Sequence, residues 1–190
     1  MILIVGLGNT GAQYKNTRHN IGFDIIDSFH KKFSFPEFKS KFNGFYSKKK
    51  IFDVSVIIFK PQSFMNLSGE PIKTVYDYYK LRNTKDLFVV HDDLDMEFMK
   101  IKIKSSGGHG GHNGIRNIIK FIGQDFYRIK LGIRNDMVLK KRIDPEKFVL
   151  YSFNFLEQKE IEKIKILFNK NFKYLIEKNF SLFKSEIIEG

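Results

Sequence analysis

The sequence predicts an α/β fold: one globular domain over residues 1–190, built on a twisted mixed β-sheet flanked by helices on both faces. Three observations carry this reading. Short apolar runs alternate along the chain with segments of helical spacing. Two neighbouring strand-like segments read as an antiparallel hairpin, so the sheet is mixed rather than purely parallel. The 190 residues, 42% of them hydrophobic, suffice for a packed core without cross-links.

Ile2–Val5 is an apolar run closed by Gly6 and reads as a buried strand. The next stretch, 12–20, has no apolar period and reads as an extended polar loop. Over 21–33, Ile21, Ile25, Phe29 and Phe33 recur at steps of four, the spacing of a helix face. Phe42–Ser47 and Val54–Phe59 form the hairpin, with Lys48, Lys49 and Lys50 near its turn. Asn66 or Ser68 caps a helix that runs to about Leu81. Leu87–Val90 is a short buried strand that delivers His91, Asp92 and Asp93 to its carboxyl end, where sites in parallel sheets usually lie. Met99–Lys104 alternates Ile with Lys, as a half-exposed strand does. A glycine-rich loop over 107–111 precedes a helix ending near Ile122, and Tyr127–Ile133 is a further strand. Glu157–Lys178 places Ile161, Ile164, Phe168, Phe172 and Leu175 at steps of three and four, predicting one long amphipathic helix.

Composition narrows the function. There is no cysteine, which excludes disulfides, thiolate catalysis and cysteine-bound zinc, and fits a reducing cytoplasm. No apolar run approaches the ~20 residues of a spanning helix, and the apolar N-terminus lacks the basic flank of a signal peptide. The net charge is +12, and residues 1–136 carry 22 Lys and Arg against 13 Asp and Glu. Such an excess attracts polyanions, although a lysine-rich genome gives the same number.

Five segments hold candidate chemistry. Gly6-Leu7-Gly8-Asn9-Thr10-Gly11 matches the dinucleotide pattern, but no helix follows to meet a pyrophosphate. Its glycines read better as turn residues that free Asn9 to face a cleft. The loop from Asn9 to Asn20 crowds Tyr14, Arg18 and His19 with asparagines; a solvated, helix-capping loop is the competing reading. His91-Asp92-Asp93-Leu94-Asp95 offers a carboxylate to orient an imidazole, a magnesium or manganese site, or a charged turn. Residues 105–114 hold five glycines among eight positions from Gly107, so the backbone can approach a ligand closely. The helix after them can bind an anion at its amides, and His109 with His112 could chelate a metal. Phe64, in the segment from Gln62 to Gly69, is either core or a stacking surface for a base.

In order and spacing, these segments closely resemble the bacterial-type peptidyl-tRNA hydrolases. The matching stretches are Val5 to Asn9, Tyr14, Thr17 to Phe23, Lys60-Pro61, Met65 to Gly69, His91 to Asp95 and Gly107 to Gly114. The resemblance covers about residues 1–135. It implies hydrolysis of the ester between a peptide and the 3′ ribose of tRNA, without a metal or cofactor, by a cytoplasmic monomer. On that resemblance His19 is the base that activates water, Asp92 orients it, and Asn9 orders substrate or water. Asn66 and Asn113 fall at positions that bind the substrate end and reacting ester. Tyr14, Phe64 and His112 fall at cleft-lining positions, and Lys104 and Lys130 at positions for tRNA phosphate. Three departures stand out. Thr10 replaces a proline, which should loosen its turn. Residues 96–99 and 133–136 depart from the family's glycine- and proline-bearing patterns. Two other classes remain open: an RNA-binding module with structural His and Asp, and a metal-dependent hydrolase using His91, Asp92, His109 and His112.

Overall fold

The structure, a computed structural model, describes residues 1–140 and 143–183. The ends of the predicted 1–190 span at 184–190, and residues 141–142, lie outside the described residues. The described chain forms a seven-stranded mixed sheet with helices on both faces, as expected.

β1 (Ile2–Gly6) lies at the centre of the sheet. Its residues alternate between two cores. Ile2 and Ile4 face one, Leu3 and Val5 the other, and all are buried. This double burial explains the unbroken apolar run. β4 (Val54–Pro61) and β5 (Leu87–Glu97) flank β1 in parallel. β7 (Tyr127–Arg134) continues the parallel set beside β5. β2 (Lys39–Lys41) and β3 (Gly44–Ile51) add an antiparallel edge, and β6 (Ile101–Lys104) closes the other edge antiparallel to β7.

α1 (Ile21–Lys32), α6 (Phe155–Lys170) and α7 (Phe172–Ile176) cover one face; α2 (Gly69–Tyr78) and α3 (Asn113–Ile122) cover the other. The first core is rich in phenylalanine: Phe29 of α1 packs on Phe168 and Phe172 at ring-centroid distances of 6.2 and 4.6 Å. Two short helices, α4 (Asp136–Leu139) and α5 (Pro145–Phe148), lie between β7 and α6.

Several boundaries differ from expectation. The three lysines lie inside β3, and the hairpin turns at Phe52 and Asp53, whose φ angles are 46° and 63°. Asp tolerates that region but Phe rarely enters it, and no glycine marks the turn, so turn chemistry hid the boundary. β5 runs to Glu97 instead of ending at Val90, because β7 pairs with it through Asp93 and, after an irregularity, at Glu97. The expected helix 157–178 is two helices. Asn171 breaks it at φ −100° and ψ 9°, where its buried side chain donates to the Leu167 carbonyl at 3.0 Å. The loop 12–20 contains two short 3₁₀ turns, Ala12–Tyr14 and Arg18–Asn20, and Thr17 to Asn20 are buried rather than solvated.

Candidate active site

His19 reaches β5 because α1 lies directly on the sheet. A Cβ on Gly22 would stand 2.4–2.5 Å from backbone atoms of Leu7 and Val90. Only glycine permits that approach. His19 ends up beside β5, two residues past Val90 in that strand. There its Nδ1 bonds Asp92 Oδ1 at 2.8 Å, with Oδ2 at 3.0 Å. An ionised carboxylate only accepts, so Nδ1 carries the proton and Nε2 is left with its lone pair.

The same carboxylate has a second partner. His112 Nε2 lies 3.1 Å from Asp92 Oδ1. His112 is also the N-cap of α3: its Nδ1 accepts from the amides of Gly114 and Ile115 at 3.1 and 3.3 Å. An Nδ1 that accepts leaves the proton on Nε2, so His112 is a neutral donor to Asp92. The side-chain ligand atoms of His19, Asp92 and His112 cluster closely enough to hold a metal. The donor set does not fit one, since His112 presents a proton there and not a lone pair. His109, from the expected metal set, is exposed and accepts the Gly111 amide through Nδ1 at 3.1 Å.

Electrostatics follow from this arrangement. Burial opposes the charged form of His19, but the charge and hydrogen bond of Asp92 outweigh it and raise its pKa above 6.5. Burial would raise Asp92, yet attraction to His19 and the hydrogen bonds from His19 and His112 hold it well below the usual carboxylate range. His91 is held well below 6.5, chiefly by its complete burial. Its Nδ1 donates to the Asp92 carbonyl at 2.6 Å.

Asn9 sits at the end of β1, held by two groups. The Asn20 side chain accepts from Asn9 N at 2.8 Å and donates to Asn9 O at 3.0 Å. Met65 N donates to Asn9 Oδ1 at 2.8 Å, which leaves the Asn9 amide nitrogen as its free donor. Thr10 does not leave its turn loose: its hydroxyl donates to Gln62 Oε1 at 3.0 Å and ties the loop to the end of β4.

Asn9, His19, Phe64, Asn66, Asp92, His112 and Asn113 line one cleft of about 820 Å³. Phe64 is 55% exposed, so it is a wall and not core. Asn113 Oδ1 accepts from Arg116 Nη1 at 3.1 Å. Three expected residues lie elsewhere. Tyr14 sits on the first 3₁₀ turn, outside the cleft lining, where its carbonyl accepts the Thr17 hydroxyl at 2.7 Å. Lys104 is exposed on the edge strand β6. Lys130 is mostly buried, with its ammonium paired to Asp93, so its charge is already compensated.

Sequence reading missed the supports. Arg128 is 2% exposed and holds the glycine loop by donating to Gly108 O at 2.6 Å. Arg18 and Asn20 belong to the candidate loop read from the sequence, but their burial beside His19 as supports was not expected there.

Comparison with known proteins agrees with the fold. The family model described as peptidyl-tRNA hydrolase matches residues 3–188. The chain belongs to that family. It is 45% identical over 164 residues to a peptidyl-tRNA hydrolase of Fusobacterium nucleatum subsp. nucleatum, covering 86% of this chain and 83% of the relative. It is 41% identical over 187 residues to that of Pelagibacter ubique, covering 98% of each. The crystal structure of peptidyl-tRNA hydrolase from Acinetobacter baumannii superposes with a TM-score of 0.88 at 31% identity, over 98% of this chain and 94% of that one. Among the described residues, no helix is long and apolar enough to cross a membrane.

Proposed function

We propose that this chain, acting as one domain, hydrolyses the ester joining a peptide to the 3′ ribose of tRNA, releasing both. The observation that carries the mechanism is the 2.8 Å bond from His19 Nδ1 to Asp92, inside a cleft walled by Phe64 and three asparagines. It leaves His19 Nε2 as a lone pair directed to a water. His19 removes a proton as the water oxygen attacks the ester carbonyl, and the buried Asp92 charge stabilises the imidazolium that forms. The proton then passes from Nε2 to the departing ribose oxygen. The Asn9 amide nitrogen, fixed through Met65 N, is a donor for the water or the developing oxyanion. Asn66 and Asn113 bind the substrate end. Lys104 is free to meet tRNA phosphate. Lys130 serves there only by giving up Asp93, and Tyr14 supports the loop more than the cleft. This reading keeps the expected absence of metal and cofactor, and a monomer acting in the cytoplasm.

The test is turnover. His19→Ala should fold and bind tRNA, yet lose ~10²–10⁴ in kcat for release of peptide from peptidyl-tRNA. Undiminished hydrolysis in that variant would falsify the mechanism, and activity lost to chelation would point to the metal-dependent alternative.

A further inference from the structure

A buried polar assembly adjoins His19 but makes no contact with the cleft. The Arg18 guanidinium donates from Nη2 to both oxygens of Glu157, at 2.7 and 2.6 Å, and from Nη1 to the carbonyls of Tyr151 and Ser152, at 3.1 and 2.6 Å. Its plane lies against Phe148 and Phe153, 4.4 and 4.9 Å from their centroids. Arg18 Nε is buried without a partner, whereas both oxygens of Glu157 take a second donor. Glu157 accepts from Asn154 N at 2.9 Å within the capping box of α6, and from Asn135 Nδ2 at 3.0 Å.

The main chain repeats the same clasp. Arg18 N donates to Tyr151 O at 3.1 Å, His19 N to Val149 O at 2.8 Å, and Phe153 N to Asn16 O at 3.2 Å. A strap over 149–153 is therefore zipped onto 16–19. Val149 and Leu150 in this strap form one wall of the cleft. His19 and that wall are thus held by adjacent bonds of a single ladder.

A buried ion pair of this kind contributes little net stability compared with an apolar pair of equal volume. What a guanidinium fork adds is geometry, because its donors meet four acceptors only in one arrangement. We infer that Arg18 and Glu157 are positioning residues for the reaction. They set the register of the strap on residues 16–19, and so hold the His19 main chain and the Val149–Leu150 wall at a fixed spacing around the substrate. The inference rests on the proposed hydrolysis, with His19 as base. It assigns the carboxyl-terminal helix α6 a part in that chemistry through Glu157.

The decisive experiment compares wild type with R18M/E157L, which replaces the pair with apolar groups of similar bulk, and with the milder E157Q and R18K. Thermal melting and peptidyl-tRNA turnover are measured across pH 5–9. Folded R18M/E157L should lose about 10- to 100-fold in kcat/KM, the scale of a misplacement near 1 Å. The loss should divide between a raised KM from the displaced wall and a lowered kcat. Loosening His19 from Asp92 lowers the His19 pKa, so the acidic limb of the profile should move to lower pH. R18K keeps the charge but cannot fork, and should not restore kcat/KM. Wild-type kinetics and pH profile in folded R18M/E157L, or in E157Q where the double variant does not fold, would overturn the inference. Failure of the functional reading would look different, as wild type itself would then release no peptide.

Discussion

His112 donates from Nε2 to the Asp92 oxygen that also holds His19, at 3.1 Å. The two histidines therefore compete for one carboxylate, and their rings lie 4.9 Å apart. Removing either partner of Asp92 should change the strength with which it holds the other.

Opposite pH shifts should result. Asp92→Asn removes the charge that raises His19, so the acidic limb of kcat/KM against pH should move down, with kcat falling ~10²–10⁴. His112→Asn retains a side-chain oxygen for capping α3 but removes the imidazole donor to Asp92. His19 then becomes the main partner of Asp92, its pKa rises further, and the limb should move up. Matching shifts in the two variants would contradict the shared-carboxylate arrangement.

Asp24 on α1 should make stability depend on pH in the reverse of the usual carboxylate sense. Burial pushes its pKa up to about 6, with Lys165 opposing and Asp27 reinforcing the shift. A raised carboxyl disfavours its charged form in the fold. The penalty is absent below the unfolded value near 3.8 and complete above about 6. Asp24→Asn should therefore stabilise the protein by ~1–2 kcal/mol at pH 8, discounted for partial solvent screening, and by almost nothing at pH 3.5. Urea titrations at the two pH values test the difference.

Gly22→Ala should damage both stability and turnover. The added methyl would meet backbone atoms at 2.4–2.5 Å, which cannot rotate away. α1 must lift from β1 and β5, at a cost of ~1–3 kcal/mol or more, and His19 moves with it. Gly108→Ala, where a Cβ meets nothing within 4 Å, is the matched control and should be near neutral in stability.

The two lysines expected to meet tRNA phosphate should separate. Lys104→Glu should raise KM for full peptidyl-tRNA more than for a short nucleotide ester, and reduce the slope of log affinity against log salt by roughly 0.7–0.9. Lys130→Ala should instead lower the melting temperature, because it strands the buried Asp93 carboxylate. A pure KM effect for Lys130→Ala, with unchanged melting, would restore it to the phosphate-binding set.

Much of the architecture was legible because it is written in local periodicity. The apolar run Ile2–Val5, the steps of four from Ile21 and the Ile–Lys alternation of 101–104 each report burial on a known face. Boundaries failed where that periodicity is silent. Phe52 and Asp53 turn with left-handed backbones, Asn171 interrupts an otherwise continuous stripe, and pairing with β7 carries β5 past its apolar residues.

The sequence by itself determined the fold class, the polyanion-attracting charge and a set of polar residues placed at the ends of apolar segments. Only the tertiary structure decided how those residues are used. His19 and Asp92 are 73 positions apart, and Arg18 and Glu157 are 139 apart. Hydrogen bonding and burial at such separations depend on which backbones pack together, and no local pattern encodes that. The close approach at Gly22 brings His19 to Asp92, and the strap brings α6 to Arg18. The same physics separated two lysines that look alike in sequence, leaving Lys104 to solvent and giving Lys130 to Asp93.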